Sequence, residues 1–182
     1  MDISEYSNQN TTKVIFAGSL GPSYDVLTIL KAAETIDKEK LPISILIAGD
    51  GPLRSIVEAK GKELSCISYL GRLSPSDLRC LYQCCDIGLA AYGQSSNVEM
   101  PDKFYDYTAA GLAIICSLKG EVIDLVTQMK LGSSYSAGDS ASLLKEILLL
   151  TSDNDLLARY KQNSFSAATE FCISNQSKKL IP

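Results

Sequence analysis

Five short runs of aliphatic and β-branched residues recur along this chain: KVIFAG (13–18), ISILIAG (43–49), CISYL (66–70), DIGLAA (86–91) and LAIICS (112–117). Each is nearly continuous in its hydrophobicity rather than alternating, the pattern of a strand buried on both faces. Between the runs lie stretches with helical spacing. A strand followed by a helix-length connection, repeated, implies one α/β domain: a doubly wound, mostly parallel sheet of about six strands covered by helices on both sides.

Helix punctuation supports this reading. Ser74 and Pro75 ahead of SDLRCLYQ, and Pro101 ahead of DKFYDYTAA, place proline in the first turn after a polar cap. Gly111 closes the helix before the last apolar run, as a left-handed C-terminal glycine does. Residues 140–171 read as two helices divided near Ser152 to Asn154, with Leu143, Leu144, Ile147 and Leu148 forming a core-facing stripe. The expected boundaries are a tail or linker at 1–12, one domain at 13–172, and a C-terminal tail or crossover segment at 173–182.

The residue inventory removes several chemistries. The 182 residues include no histidine, which excludes Ser-His-Asp and Cys-His catalysis and leaves zinc only cysteine or carboxylate ligands. The six cysteines follow no framework: Cys80, Cys84 and Cys85 crowd one segment, while Cys66, Cys116 and Cys172 lie in apolar runs, so all are expected as buried, reduced thiols. The Asp153-Asn154-Asp155 string falls where a helix begins and reads as a cap, not a metal site. With a net charge of −4 and no basic run, nucleic acid is not an expected partner. No apolar run reaches the roughly 18 residues of a membrane span. The polar start MDISEYSNQNTT is unlike a signal peptide, so the cytoplasm is the expected compartment and the sequons at Asn10 and Asn175 carry little meaning.

In an open parallel sheet, ligands bind beyond the carboxyl ends of the strands, which directs attention to the loops there. The first is Gly18-Ser19-Leu20-Gly21-Pro22-Ser23-Tyr24-Asp25, and the second Gly49-Asp50-Gly51-Pro52-Leu53-Arg54. Glycines at such turns let backbone amides approach a phosphate, yet a tight turn needs them without any ligand. The third loop is Gly71-Arg72-Leu73-Ser74; the fourth is long and polar, running from Tyr92 through Glu99, Met100 and Pro101 to Asp106. Loops of that length are usually functional or mobile. Gly18, Gly49, Gly71 and Gly93 should therefore share one rim.

Taken in order, VIFAGSLGPSYD, ILIAGDGPLR, ISYLGRLSPSDLRCLYQCCDIGLAAY, MPDKFYDYTAAGLAII and GSSYSAGDSASLLKEI resemble the C-terminal domain of group 1, family 4-type retaining glycosyltransferases of the GT-B fold. The resemblance covers residues 13–172 and implies a Rossmann-like domain, half of such an enzyme. It looks most like the capsule, O-antigen and exopolysaccharide subgroup, through the stretch Pro101, Lys103, Asp106, Tyr107. The implied function is to bind a nucleotide-diphosphate sugar whose sugar passes to a glycan or lipid-linked acceptor in polysaccharide biosynthesis. No metal or other cofactor is implied.

The resemblance also assigns donor-binding roles. Asp106 would accept the ribose hydroxyls, as an acceptor-only carboxylate can. Gly71, Arg72 and Leu73 would edge the base, and Gly49 to Pro52, with Gly51 between them, would keep that side of the cleft open. Gly18, Ser19, Glu99, Met100, Pro101 and Phe104 complete the implied set, with the helix N-terminus near Pro101 and the Lys103 charge directed at the diphosphate. Catalytic residues are not assigned.

Departures from the family pattern are specific. Its Arg after the first-strand glycine and its Lys a few residues later are here Ser19 and approximately Tyr24, leaving Lys103, Arg72 or another domain to offset phosphate charge. Its glutamate eight positions before Asp106 is Val98, with Glu99 one residue away. An acceptor-binding half would precede Met1, so the chain alone is expected to bind donor without transferring it, with peripheral membrane association arising through that other half. The alternatives are a noncatalytic nucleotide-sugar-binding subunit of a two-chain transferase and a GT-B-fold sugar-nucleotide epimerase; a phosphorylase fits least.

Overall fold

The computed structural model describes residues 11–171. Residues 1–10 of the tail expected at 1–12, the segment 173–182, Cys172 and both sequon asparagines lie outside the described residues.

Six strands, β1 (Thr12–Ala17), β2 (Ile43–Ala48), β3 (Ile67–Gly71), β4 (Ile87–Ala90), β5 (Ala113–Cys116) and β6 (Gly132–Ser134), form one sheet in the order β3-β2-β1-β4-β5-β6. All five pairings are parallel. Among the described residues the seven helices are α1 (Val26–Lys38), α2 (Arg54–Glu63), α3 (Pro75–Gln83), α4 (Asp102–Ala109), α5 (Glu121–Gln128), α6 (Ser140–Ser152) and α7 (Asn154–Phe171). The doubly wound expectation holds, and the direction of winding reverses between β1 and β4.

The continuous hydrophobicity of the strands follows from burial on both sides. Along β1, Val14 and Phe16 enter one core with Ile29, Ile36 and Ile147, whereas Ile15 and Ala17 enter the other with Leu81, Tyr107 and Val126. The expected stripe behaves as core: Leu143 and Ile147 are fully buried, with Leu144 and Leu148 packed beside them.

Most punctuation falls where expected. The Ser74 hydroxyl accepts from the Asp77 amide at 3.1 Å with Pro75 opening α3, and the Asp153 carboxylate accepts from the Leu156 amide at 2.9 Å to cap α7. Gly111 is left-handed at φ +68°, and the Leu112 amide donates back to the Tyr107 carbonyl at 3.0 Å. Pro101 departs by one position: it is the extended cap, φ −81° and ψ 144°, and the helix begins at Asp102. The cysteine expectation needs a larger correction. Cys66, Cys85 and Cys116 are buried and free, but Cys80 is exposed and Cys84 half-buried, because α3 turns that side outward.

The sixth strand, GSS, carries no hydrophobic signal of its own. It pairs with β5 through Gly132, where a Cβ would lie 1.8 Å from the Ile114 carbonyl oxygen; only glycine permits that approach.

Candidate functional site

Gly18, Gly49, Gly71 and Gly93 lie at the carboxyl ends of β1 to β4, on one rim, as the loop argument requires. Backbone contacts weld the first three together: the Gly18 amide donates to the Ala48 carbonyl at 2.9 Å, and the Gly49 amide to the Gly71 carbonyl at 2.7 Å. A Cβ on Gly49 would stand 1.8 Å from the Gly18 oxygen, and one on Gly51 2.7 Å from the Leu20 oxygen. These two glycines are therefore demanded by loop-on-loop packing, whatever binds there.

Two cavities open on this rim, one to either side of the switch point. The smaller, about 390 Å³, lies over β1 to β3 and is lined by Gly18, Ser19, Gly49, Asp50, Arg72 and Leu73, with Leu78 of α3. The larger, about 930 Å³, lies over β4 to β6 and is lined by the loops at 93–99, 117–119 and 134–137. The ridge between them is held by a bridge pairing Tyr24 with Tyr92, and by the Gly93 amide donating to the Ser23 carbonyl at 2.9 Å.

Lys103 reaches this ridge from the first turn of α4. It is 7% exposed, and its Nζ lies 4.3 Å from the centroid of the Tyr24 ring, 5.4 Å from that of Tyr92 and 5.5 Å from that of Phe16. No acceptor among the described residues takes a hydrogen bond from it. The ring faces attract the ammonium without neutralising it. Burial brings its pKa down to about 8, while the Asp106 and Asp102 carboxylates work in the opposite direction.

Asp106, one turn further along α4, is open to solvent. Partial loss of hydration, and secondarily the Asp102 charge, raises its pKa, with Lys103 pulling it down. Its charge is felt by the buried Tyr82 phenol on α3, one turn on from Leu78 of the smaller cavity.

The expected site residues separate into groups. Gly18, Ser19, Gly49, Arg72 and Leu73 converge on the smaller cavity, with the Lys103 ammonium at its Gly18 end, while Asp106 is exposed on α4 outside that lining. Gly71 is left-handed at φ +65° at the end of β3, and Gly51 sits outside the lining. Glu99 lines the larger cavity, Pro101 is buried, and Met100 packs against the core. Phe104 is fully buried, its ring 5.3 Å from that of Phe171, and it anchors α4 to α7.

Four residues take roles that the sequence did not assign to them. Tyr24 and Tyr92 form the Lys103 seat. The Asp25 carboxylate, 9% exposed, accepts from the Thr28 hydroxyl at 2.5 Å, the Tyr135 hydroxyl at 3.0 Å and the Gly138 amide at 2.8 Å, joining the start of α1 to the loop after β6. Tyr107 stacks over Gly88, and its hydroxyl donates to the Leu89 carbonyl at 3.2 Å and accepts from the Ala17 amide at 3.4 Å, spanning the switch point.

Comparison with solved structures defines the class. HepE of Anabaena in complex with UDP matches with a TM-score of 0.75 at 17% identity, over 93% of this chain and 48% of that one. The catalytic domain of the cholesterol-α-glucosyltransferase of Helicobacter pylori matches with a TM-score of 0.71 at 16% identity, over 88% and 98% respectively. The fold is that of a GT-B glycosyltransferase domain. The sequence model of glycosyl transferases group 1 matches residues 11–153, and the chain belongs to that family.

Among curated relatives, the chitobiosyldiphosphodolichol β-mannosyltransferase of Debaryomyces hansenii is 24% identical over 190 residues, covering 94% of this chain and 40% of that protein. The enzyme of the same name from Arthroderma benhamiae is 29% identical over 126 residues, covering 64% and 28%. The chain thus spans less than half the length of these relatives. Among the described residues, no helix is long and apolar enough to cross a membrane, and no group of three His, Cys, Asp or Glu could hold a metal ion.

Proposed function

We propose that this chain is the donor-binding half of a transferase that moves a sugar from a nucleoside-diphosphate sugar to a glycan or lipid-linked acceptor in polysaccharide assembly. The observation that carries this reading is a buried cation, Lys103, held at the switch point beside a cavity and against a glycine with no side chain. The base occupies the smaller cavity along Gly71 to Leu73, and Asp106 accepts the ribose hydroxyls.

The diphosphate lies across Gly18, whose lack of a side chain exposes backbone and ammonium together. When the bond from the anomeric carbon to the diphosphate oxygen breaks, the electron pair stays on that oxygen, and the Lys103 charge stabilises it. Such stabilisation acts best from a preorganised, poorly hydrated cation. Lys103 thereby takes over the work of the family's first-loop Arg and Lys, from α4 instead of the loop.

Transfer further requires an acceptor held in line with the anomeric carbon, because proximity supplies several kcal/mol of barrier reduction. The purified 182-residue chain accordingly binds donor without turning it over. Retention of configuration is the outcome we propose; proton NMR of the product anomer, made with an acceptor half present, decides it. Calorimetric titration with UDP, GDP and their sugars, beside a transfer assay, tests the whole reading. Micromolar binding without transfer is expected, and robust turnover by this chain alone would contradict the division of labour.

A further inference from the structure

The geometry of α3 points to a second site, away from the rim: Cys80 and Cys84, one turn apart on the outer side of that helix, form a dithiol that a thiophilic trivalent arsenical can bridge. Both thiols are free, Cys80 exposed and Cys84 half-buried, whereas Leu81, Tyr82 and Cys85 take the buried side of the same turn. Residues four apart stand one above the other on a helix. Cys84 keeps that phase, because as the residue that ends α3 it stays right-handed, at φ −92° and ψ −3°. Neither cysteine lines the two rim cavities.

Distance decides what the pair can hold. Side chains at this spacing have Cβ atoms about 5 to 6 Å apart, whereas a disulfide needs about 3.5 to 4.5 Å and sulfurs in direct bond. Direct oxidation of the pair would therefore distort the helix. A bridging atom relaxes the demand: two bonds of about 2.3 Å, the length of a zinc–thiolate bond, leave the sulfurs about 3.5 Å apart.

Ligand number and charge decide which atom bridges them. Thiolates are soft and select thiophilic centres over cations that prefer oxygen. Zinc asks for four ligands, and among the described residues no group of three His, Cys, Asp or Glu is placed to hold a metal. Cys85, next in sequence, turns into the core, where its Sγ donates to the Leu81 carbonyl at 3.2 Å and burial pushes its thiol up to about 12. The carbonyls that end a helix disfavour negative charge in its last turn, and α3 has no basic residue there. A monovalent cation on two thiolates would leave such a charge. A trivalent arsenical carrying one organic substituent leaves the pair neutral. With an arsine oxide, two S–H bonds and the As=O bond break, two As–S bonds form, the oxygen departs as water with both protons, and arsenic stays trivalent.

Titration of the reduced native chain with phenylarsine oxide, read by intact mass, tests this site independently of nucleotide binding. Wild type should take up one equivalent that survives excess glutathione and is removed by 2,3-dimercaptopropanol. Cys80→Ser and Cys84→Ser should each bind about a hundredfold or more weakly, because the second bond of the bridge is made intramolecularly. Their adducts should be stripped by glutathione, while Cys172→Ser behaves as wild type. Thermal melts of the arsenic-free variants should match wild type. Mapping of iodoacetamide-reactive thiols in the native wild-type adduct gives a reading that needs no variant: Cys80 and Cys84 should be protected together. A glutathione-resistant adduct in either serine variant, its loss in Cys172→Ser, protection of Cys84 with Cys85 instead of Cys80, or no resistant adduct in wild type would overturn the site.

Discussion

The ammonium of Lys103 occupies the space that a side chain at Gly18 would take: a Cβ built there would lie 2.5 Å from Nζ and 3.0 Å from Cε. The two residues are 85 positions apart, on different elements, and neither explains itself alone. Gly18 is small because a cation lies over it; Lys103 is buried because Tyr24, at about the family's lysine position, offers it a ring face.

Replacing Lys103 by Met should stabilise the fold while weakening nucleotide binding. The folded pKa, about 8, is below the ordinary 10.5, so between these values the unfolded chain holds the extra proton. The cost of burying the charge is therefore fully present below pH 8 and is relieved as pH rises from about 8 to 10.5. At roughly 1.4 kcal/mol per unit, the variant should gain about 1 to 3 kcal/mol at pH 7 in urea denaturation. UDP affinity should fall at least about tenfold. Wild-type affinity should also decline above pH 8 as the ammonium deprotonates, and that decline should be missing from the Met variant. A destabilised variant with unaltered affinity would mean that Lys103 is a packing residue.

Two glycine substitutions should behave oppositely. In Gly18→Ala the new methyl meets the far end of a flexible lysine, so the ammonium moves aside. Stability should change by less than about 1 kcal/mol while UDP affinity drops. In Gly49→Ala the methyl meets the Gly18 backbone 1.8 Å away, which cannot yield without parting β1 from β2. That variant should lose about 3 kcal/mol or more, measured by thermal and urea melts.

Asp25→Ala tests whether the rim is held by one carboxylate. It strands the buried Tyr135 hydroxyl, at a cost of about 1 to 3 kcal/mol, and releases the Gly138 amide, which water can reach. Hydrogen exchange should rise at 135–139 while the amides of β1 and β2 stay protected. Uniform loosening across the sheet would show that Asp25 supports the whole fold instead.

The sheet was legible because each strand is apolar on both faces and each connection is long enough for a helix. β6 was not: its three residues, GSS, hold their place through the Gly132 contact with β5, which no local pattern encodes. The site was legible only as loops. Arg72, Leu73 and Ser19 meet where the order of strand ends puts them, but the Lys103 seat needs Phe16, Tyr24 and Tyr92 from three separate segments. The burial of Phe104 was not legible, because adjacent residues of a helix face different directions and a motif match carries no phase.

The central claim is that this half binds a nucleotide, and comparing Asp106 with Asp102 tests it most directly. Both are exposed acids on α4, but only Asp106 is proposed to accept the ribose hydroxyls. Calorimetry with UDP and GDP should show Asp106→Ala losing about tenfold or more in affinity, at about 1.5 to 3 kcal/mol per charge-assisted hydrogen bond, with the melting temperature nearly unchanged. Asp102→Ala should move affinity by less than about threefold, since removing a charge near Lys103 changes only a screened interaction. Equal and small losses at both positions would contradict the account and leave Asp106 an ordinary surface acid.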